Sequence, residues 1–220
     1  KLHGFSPDHI LVTNGGDEAL RLAVTTFVNP QEGFGILDPS YSLYPVLSAI
    51  QNCKLISIQA DENWAIPDKF SEELNNEQVR LTCVVNPHAP SGYLTSSERL
   101  AQIAERLNGV LLIDEAYADF IDPNRNYNSD DLIKQFNNVI ILRTLSKGYS
   151  LAGIRLGYLL GRPSLIEPIA HKTRDSYNID TIAQALSCAA LTDQRYAQDN
   201  WRKIRLERQR LRLELMDLGF

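Results

Sequence analysis

Cysteine is scarce in this chain. Only 3 of the 220 residues are cysteines, and Cys53, Cys83 and Cys188 lie far apart in the sequence. An odd number of distant cysteines argues against a disulfide framework, and no pair has the close spacing of metal ligands. We therefore expect neither disulfide bridges nor a metal site, and we expect the reducing cytoplasm as the location.

The sequence also lacks an excess of positive charge and a long apolar run. Lysine and arginine give 22 positive charges against 27 negative charges from aspartate and glutamate, a formal net charge of −5. Binding to nucleic acid through bulk electrostatics needs a basic excess, so that function class is excluded. No apolar run approaches the roughly 20 residues that cross a bilayer, so a membrane-spanning segment is excluded as well.

What the sequence does contain is an alternation of short, apolar, β-branched runs with segments of helical period. Strands that are apolar on both faces and separated by helices are typical of βαβ units, in which helices cover both faces of a mostly parallel sheet. We therefore predict an α/β fold with three layers, α/β/α, around a seven-stranded sheet. The predicted strands are residues 10–13, 35–37, 54–58, 81–85, 110–113, 139–142 and 157–160.

Helices are predicted between and after these strands. In the fourth helix, Thr95 followed by Glu98 fits a capping box. Arginines on the last, long helix are interleaved with Glu207 and Glu214, so we interpret its charges as a solvated face rather than a membrane or nucleic-acid contact. The predicted helices are residues 17–27, 43–50, 68–74, 96–107, 130–135, 165–170, 181–191 and 196–218.

Polar residues collect after several predicted strands, where a parallel α/β sheet binds its ligands. Gly15 and Gly16 precede a helix and can offer backbone N–H groups to an anion, although such a pair is more often only a tight turn. Asn86 follows the fourth strand in a loop stiffened by two prolines, where a structural turn is the simpler interpretation. We interpret the nearby His88 as a bystander.

The strongest chemical signals follow the fifth and sixth strands. Asp114 comes directly after four apolar residues, and a buried carboxylate needs a cationic or proton-bearing partner. Without a Walker A lysine upstream, a protonated ring nitrogen of a ligand is a better partner than magnesium. Lys147 is flanked by Thr144 and Ser146. Although such a lysine is usually a surface charge, in a crevice beside Arg155 it is a candidate imine-forming nucleophile.

Seven short segments occur in order over nearly the whole chain: TNGGDEA (residues 13–19), DPSY (38–41), NPHAPSG (86–92), DEAY (114–117), RTLSK (143–147), LAGIR (151–155) and YN (177–178). Each segment is weak alone. As an ordered set they resemble the class I and II aminotransferases, which are fold-type I enzymes dependent on pyridoxal 5′-phosphate. Within that family the set is most similar to the group that acts on histidinol phosphate.

The resemblance implies a role for each residue at the strand ends. Lys147 would form a Schiff base with the cofactor aldehyde and then move a proton as acid and base. Asp114 would pair with the pyridine nitrogen, while Asn86 and Tyr117 would hydrogen-bond the phenolic oxygen. Tyr41 would stack on the ring. The phosphate would be held by the remaining set: Gly16, Asp17, Glu18, Thr144, Ser146 and Arg155.

The resemblance also implies a reaction, partners and a domain division. The reaction would be transamination of L-histidinol phosphate with 2-oxoglutarate in histidine biosynthesis, giving imidazole acetol phosphate and glutamate, in a homodimer. Residues 1–195 would form the cofactor-binding large domain, and residues 196–220 a linker helix toward a small domain absent from this chain. The family's arginines for the substrate carboxylate would lie in that absent part, since no arginine here matches them.

Three alternatives stay open from the sequence alone. The chain could belong to another enzyme with the same cofactor, such as an aromatic aminotransferase or a threonine-phosphate decarboxylase. It could be a nucleotide-binding α/β domain that uses Gly15 and Gly16 for phosphate, although neither a Walker A nor a GxGxxG sequence is present. It could also hold the cofactor without turning over a substrate.

Overall fold

The predicted strands come together in one sheet of the computed structural model, which describes residues 2–220. The strands are β1 (Ile10–Thr13), β2 (Gly33–Asp38), β3 (Lys54–Gln59), β4 (Val79–Val85), β5 (Val110–Asp114), β6 (Val139–Thr144) and β7 (Gly157–Gly161). Their order across the sheet is β1-β7-β6-β5-β4-β2-β3. The pairs from β3 to β6 are parallel, and β7 runs antiparallel to both β6 and β1. The prediction of a seven-stranded, mostly parallel sheet is confirmed.

The predicted helices connect and follow these strands. They are α1 (Gly15–Phe27), α2 (Leu43–Gln51), α3 (Phe70–Asn76), α4 (Ser97–Arg106), α5 (Asp130–Gln135), α6 (Pro163–Lys172), α7 (Thr181–Thr192) and α8 (Gln194–Asp217). Three short 3-10 helices lie in the loops after β5 and before β7: Ala118–Phe120, Pro123–Arg125 and Ala152–Ile154. Each predicted strand and helix is confirmed, with its ends within two residues of the prediction.

Alternate side chains of the central strands face separate cores. On β5, Leu112 packs in a cluster with side chains of α1 and α2, whereas Leu111 and Ile113 pack in a second cluster with side chains of α3 and α4. On β6, Ile140 and Ile141 divide between the two clusters in the same way. This follows from the two-residue period of a strand. The sheet is therefore the middle of three layers, as predicted.

The direction of β7 decides which residues meet at the carboxyl edge of the sheet. Because β1 and β6 are each antiparallel to β7, they are parallel to one another and end at the same edge. β7 begins at that edge, where Gly157 pairs with both Thr13 and Thr144. Arg155, which precedes β7, is thereby brought to the ends of β1 and β6.

The start of α4 differs from the prediction. Ser96, rather than Thr95, is the N-cap residue, and its hydroxyl accepts a hydrogen bond from the backbone N–H of Arg99 at 3.2 Å. The backbone N–H and carbonyl of Thr95 are instead bound by the amide side chain of Asn86. The prediction of Thr95 as the cap was wrong, because adjacent hydroxyl residues compete for this position and a tertiary contact decides between them.

The long helix α8 packs on the loop after β6 with its first half. The indole Nε1 of Trp201 donates to the carbonyl of Gly148 at 2.6 Å, and the Trp201 ring meets the Tyr149 ring edge to face. Toward its end the helix exposes Leu213 and Met216. In residues 2–220 no helix combines the length and the apolar character that crossing a membrane requires. The domain boundary at residue 196 stays a prediction.

Candidate active site

Most of the predicted site residues line one cavity at the carboxyl edge of the sheet. The cavity lies where β1, β5 and β6 end and α1 begins, and its apolar walls include Leu20, Val85 and Leu142. The predicted residues that line it are Gly16, Asp17, Tyr41, Asp114, Tyr117, Thr144, Ser146, Lys147 and Arg155. Residues from distant parts of the chain are thus brought together by the parallel sheet, as ligand sites of this fold class require.

Asp114 ends β5 and is buried at the floor of this cavity. One carboxylate oxygen accepts from the backbone N–H of Ala116 and the other from the hydroxyl of Tyr44, each at 3.1 Å. Burial raises the pKa of Asp114 to about 6, and these two hydrogen bonds oppose that rise. Among the described residues no lysine, arginine or histidine forms an ion pair with it. A buried acid of this kind suits a ligand group that carries a proton.

The start of α1 forms an anion-binding end of the cavity. Gly15 has a φ of +81°, so its backbone conformation favours glycine, and a Cβ built on it would lie 2.6 Å from the Nη2 atom of Arg155. The guanidinium of Arg155 thus lies directly against the helix N-terminus. Backbone N–H groups at a helix start, together with an arginine, are suited to a phosphate.

A carboxylate now shares this end of the cavity. Asp17 accepts a hydrogen bond from Arg155 Nη2 at 3.3 Å and another from the Tyr41 hydroxyl at 3.2 Å. The Arg155 and Asp17 side chains are both about half exposed, so the ion pair is weak and can rearrange when another anion arrives. The hydroxyl of Thr144 donates to that of Ser146 at 3.0 Å, and both residues line the cavity.

Lys147 lies in the turn after β6 and lines the same cavity as Asp114. Lys147 is exposed to solvent overall. Its Nζ atom nevertheless lies 5.4 Å from the centroid of the Tyr117 ring. An ammonium group over an aromatic face at this distance is a cation–π contact. Lys147 and Tyr117 thus line the cavity together, with the amine over the face of the ring.

Two predicted site residues do not line the cavity. Asn86 is fully buried, and both of its amide atoms bond to the backbone of Thr95, at 2.8 and 3.0 Å. The Glu18 carboxylate turns back to accept from the backbone N–H of Asn14 at 2.6 Å. Contact of Asn86 or Glu18 with a cofactor stays a prediction.

The histidine interpreted as a bystander proves to be a structural link between two loops. His88 is buried, and its Nε2 atom donates to the carbonyl of Pro39 at 2.8 Å, while Nδ1 lies 2.7 Å from the Ser91 hydroxyl. Because both ring nitrogens are engaged, His88 holds the loop that carries Tyr41. This use of both nitrogens is consistent with leaving it out of the chemical site.

Tyr44 is the functional side chain that the sequence reasoning missed. It is fully buried in α2, and its hydroxyl is the side-chain donor to Asp114. Its ring meets those of Phe34 and Tyr41 edge to face. A tyrosine on the apolar face of a predicted helix cannot be distinguished from an ordinary core aromatic, so the sequence alone offers no signal for this role.

Comparison with known proteins places the chain in a family. A family model described as aminotransferase class I and II matches residues 1–220. The chain is 41% identical to a histidinol-phosphate aminotransferase of Syntrophotalea carbinolica over its whole length, covering 61% of that protein. It is 39% identical to one of Citrifermentans bemidjiense, covering 60% of that protein. The chain therefore spans about three fifths of the length of these curated relatives.

Solved structures of similar fold include two proteins of the same description. One is a histidinol-phosphate aminotransferase of Sinorhizobium meliloti in complex with pyridoxal-5′-phosphate, with a TM-score of 0.89 and 27% identity, which matches 96% of this chain and 57% of that one. The other comes from Clostridium acetobutylicum, with a TM-score of 0.87 and 26% identity, and matches 100% of this chain and 65% of that one.

Proposed function

This chain belongs to the family of class I and II aminotransferases, and on that premise we propose that it is the cofactor-binding part of an enzyme dependent on pyridoxal 5′-phosphate. The reaction would transfer the amino group of L-histidinol phosphate to 2-oxoglutarate, giving imidazole acetol phosphate and glutamate. The observation that carries the proposal is one cavity lined by a lysine amine, a buried acid and an arginine at a helix start.

The chemistry of the cavity fits this cofactor. Asp114 offers a buried carboxylate without a cationic side-chain partner in the described chain, which matches a protonated ring nitrogen. Arg155 and the start of α1 offer donors for a phosphate, and Ser146 adds a hydroxyl. Tyr41 and Tyr117 supply aromatic surface on the cavity wall. When bound, pyridoxal 5′-phosphate supplies an aldehyde and an electron-accepting ring.

Each residue of the cavity has a separate role in this proposal. Lys147 would hold the cofactor through its amine and would act as the acid and base that moves a proton between two substrate atoms. Asp114 would hold a proton at the ring nitrogen, because its buried carboxylate has no cationic side-chain partner among the described residues. Arg155 would bind the phosphate of the cofactor. Tyr41 would give up its hydrogen bond to Asp17 and pack against the cofactor ring.

The amino donor is inferred from the relatives. Histidinol-phosphate aminotransferases of two bacteria share about two fifths of their matched residues with this chain, with no part of the chain left unmatched. Identity at this level over the whole chain favours the same substrate class. Assembly as a homodimer and a cytoplasmic location are part of this proposal.

The cofactor is tested by absorption spectroscopy of the protein mixed with pyridoxal 5′-phosphate. We expect a visible band from the bound cofactor, and borohydride reduction should leave a covalent adduct that peptide mapping places on Lys147. Lys147→Ala should lose both the band and the adduct. The matched control Lys134→Ala, at an exposed lysine paired with Asp131, should keep both. Equal spectra for the wild type and Lys147→Ala would overturn the assignment.

The amino donor is tested separately. Transamination of histidinol phosphate is measured beside that of tyrosine and phenylalanine, and threonine phosphate is tested for decarboxylation. Conversion of histidinol phosphate in preference to the others supports the proposal. Preference for another donor would overturn the substrate and leave the cofactor assignment intact.

A further inference from the structure

A second polar cluster lies directly behind the cavity, on the other side of the same two strand ends. Consecutive residues of a strand point to opposite faces. Asp114 and Thr144 line the cavity, so Glu115 and Arg143 lie on the opposite face. The backbone N–H of Glu115 donates to the carbonyl of Leu142 at 2.9 Å, which places Glu115 beside Arg143.

Arg143 bridges two buried carboxylates in this cluster. Its Nη1 atom lies 3.3 Å from Glu115 Oε2, and its Nη2 atom lies 2.5 Å from Asp119 Oδ1. The side chains of Glu115 and Asp119 are 1% and 4% exposed, and that of Arg143 is 18% exposed. The hydroxyl of Tyr127 donates to the remaining Glu115 oxygen at 2.6 Å. We refer to Glu115, Arg143 and Asp119 as the ion triad.

The ion triad reaches the residue that follows Lys147. The other carboxylate oxygen of Asp119, Oδ2, lies so close to Gly148 that it would overlap with a Cβ built on Gly148. The Gly148 backbone is in an ordinary conformation, so the space taken by Asp119 is what requires glycine there. On its carbonyl side Gly148 accepts from Trp201 Nε1 at 2.6 Å. The backbone next to Lys147 is thus held between a carboxylate and an indole.

One turn carries both the contact to the Lys147 backbone and the contact to its amine. Asp119 lies in the 3-10 helix Ala118–Phe120, which directly follows Tyr117. The Tyr117 ring faces the Nζ atom of Lys147, while Asp119 contacts Gly148. This turn begins at the end of β5, next to Asp114. The ion triad therefore connects the turn that follows Asp114 to the turn that contains Lys147.

Stability alone does not account for such a triad. Burial raises the pKa values of Glu115 and Asp119 even though Arg143 opposes the rise, which means that desolvation of the carboxylates is costly. Replacing buried ion pairs by apolar side chains of similar volume is often neutral or stabilising. What the planar fork of an arginine adds is a fixed direction toward each carboxylate.

We propose that Asp119, held by Arg143 and Glu115, is a positioning residue that fixes the Gly148 backbone and thereby the direction of the Lys147 side chain toward Asp114. The inference rests on the proposed function in one respect, namely that Lys147 is the reacting amine. It gives a role to two buried carboxylates and the arginine that bridges them, none of which lines the cofactor cavity.

The test compares three variants that change the ion triad to different degrees. Asp119→Ala removes the contact with Gly148. Arg143→Lys keeps the positive charge and removes the planar guanidinium that contacts both carboxylates. Asp119→Asn keeps the size of the side chain and removes its negative charge. Arg162→Lys is the matched control, since Arg162 binds backbone carbonyls of Ile133, Lys134 and Phe136 away from the cavity. It should lower thermal stability as the triad variants do.

Three readouts separate positioning from stability. The first is the rate at which acetic anhydride labels Lys147 in the cofactor-free protein, followed by mass spectrometry as pH is varied. The second is the dissociation constant for pyridoxal 5′-phosphate, and the third is the pH midpoint of its visible band. A displacement of about 1 Å at a reacting group can lower a reaction rate about a hundredfold. For Asp119→Ala and Arg143→Lys we expect the affinity for pyridoxal 5′-phosphate to fall by a smaller factor, about tenfold.

The expected pattern is a changed labelling profile and a moved pH midpoint in both of these variants, smaller changes in Asp119→Asn, and none in Arg162→Lys. Wild-type labelling, affinity and midpoint in a folded Asp119→Asn and Arg143→Lys would overturn the inference. If Asp119→Ala does not fold, the other two variants decide. If the wild type binds no pyridoxal 5′-phosphate, the proposed function fails, and labelling of Lys147 still decides the positioning role.

Discussion

At the scale of single residues, the hydroxyl of Tyr44 controls how easily Asp114 stays ionised. It donates to the carboxylate at 3.1 Å and so opposes the rise in pKa that burial causes. We expect Tyr44→Phe to raise the Asp114 pKa above about 6 and to weaken pyridoxal 5′-phosphate binding about tenfold at pH 7, because a hydrogen bond to a charged group contributes about 1.5 to 3 kcal/mol. Cofactor titration followed by absorbance measures the change.

The matched control for this prediction is Tyr158→Phe. Tyr158 is also buried, and its hydroxyl bonds to His3 at 2.9 Å, outside the cofactor cavity. Both variants lose one buried hydroxyl, so both should lose a similar amount of stability, while affinity for the cofactor should fall only in Tyr44→Phe. A fall of equal size in both variants would contradict a specific role for Tyr44.

Asn86 offers a second residue-scale prediction. Its side chain satisfies both the N–H and the carbonyl of Thr95 in a fully buried position. Asn86→Ala should lower the free energy of unfolding of the cofactor-free protein by about 2 to 4 kcal/mol, because two buried backbone groups lose their partners. Urea denaturation measures it.

Asn178→Ala is the comparison variant for Asn86. Its side chain makes one hydrogen bond, to the carbonyl of Val12, so about 1 kcal/mol or less should be lost. If Asn86→Ala keeps its stability and loses cofactor affinity instead, the direct contact that the family resemblance implies is the better account.

Single residues were predictable from the sequence where a strand end and a chemical need coincide. Asp114 and Lys147 each follow an apolar strand directly, which marks them as polar groups at the ligand edge of a sheet. Tyr44 and Asp119 carry no such mark, because their roles depend on contacts with residues 70 and 29 positions away. Long-range pairing of side chains is decided by packing, which local pattern does not encode.

At the scale of elements, strands and helices were predictable because the apolar period changes between them. The antiparallel direction of β7 was not, since a strand of five buried residues has no feature that fixes its direction. That direction has a consequence for the site. It brings Arg155 and Gly157 to the start of α1, where the phosphate-type end of the cavity forms.

The contact between β7 and α1 yields an element-scale prediction. A Cβ on Gly157 would lie 2.7 Å from the carbonyl carbon of Gly15 and 2.8 Å from the backbone nitrogen of Gly16. Backbone atoms cannot move aside as a flexible side chain can, so Gly157→Ala should displace the start of α1. We expect a loss of about 1 to 3 kcal/mol in the free energy of unfolding and weaker binding of inorganic phosphate, measured by denaturation and calorimetry.

A glycine in the preceding 3-10 helix provides the control for this prediction. No heavy atom lies within 4 Å of a Cβ built on Gly153, and its backbone conformation is open to alanine. Gly153→Ala should therefore leave stability and phosphate binding unchanged or slightly increase stability. Equal effects of the two substitutions would show that the close approach at Gly157 is not what constrains the anion site.

At the scale of the whole molecule, three acidic side chains are buried at and after the end of β5. Asp114, Glu115 and Asp119 are all buried, and burial raises the pKa of each. The sequence predicted the need for a partner at Asp114 from its place after an apolar strand. It did not predict that Glu115 and Asp119 would share Arg143, because their meeting depends on how two loops fold over the sheet edge.

These raised values make global stability depend on pH in a definite direction. For Asp114 the pKa rises from 3.8 to about 6 on folding, so between those values the folded state binds the proton more tightly than the unfolded state. Stability from this group is therefore present below pH 4 and is lost as pH rises toward 6. A shift of about two pKa units corresponds to about 3 kcal/mol.

Asp114→Asn isolates this contribution in the cofactor-free protein, because asparagine fills the same space and has no proton to lose. The free energy of unfolding of Asp114→Asn minus that of the wild type should increase by about 3 kcal/mol between pH 4 and pH 7, as the wild type comes to bury a charge. Urea denaturation across this range measures it. Asp68→Asn, at a fully exposed side chain, should show no such trend. A pH-independent difference for Asp114→Asn would mean that solvent reaches the carboxylate, and the cavity would then lack the buried acid that holds a protonated ring.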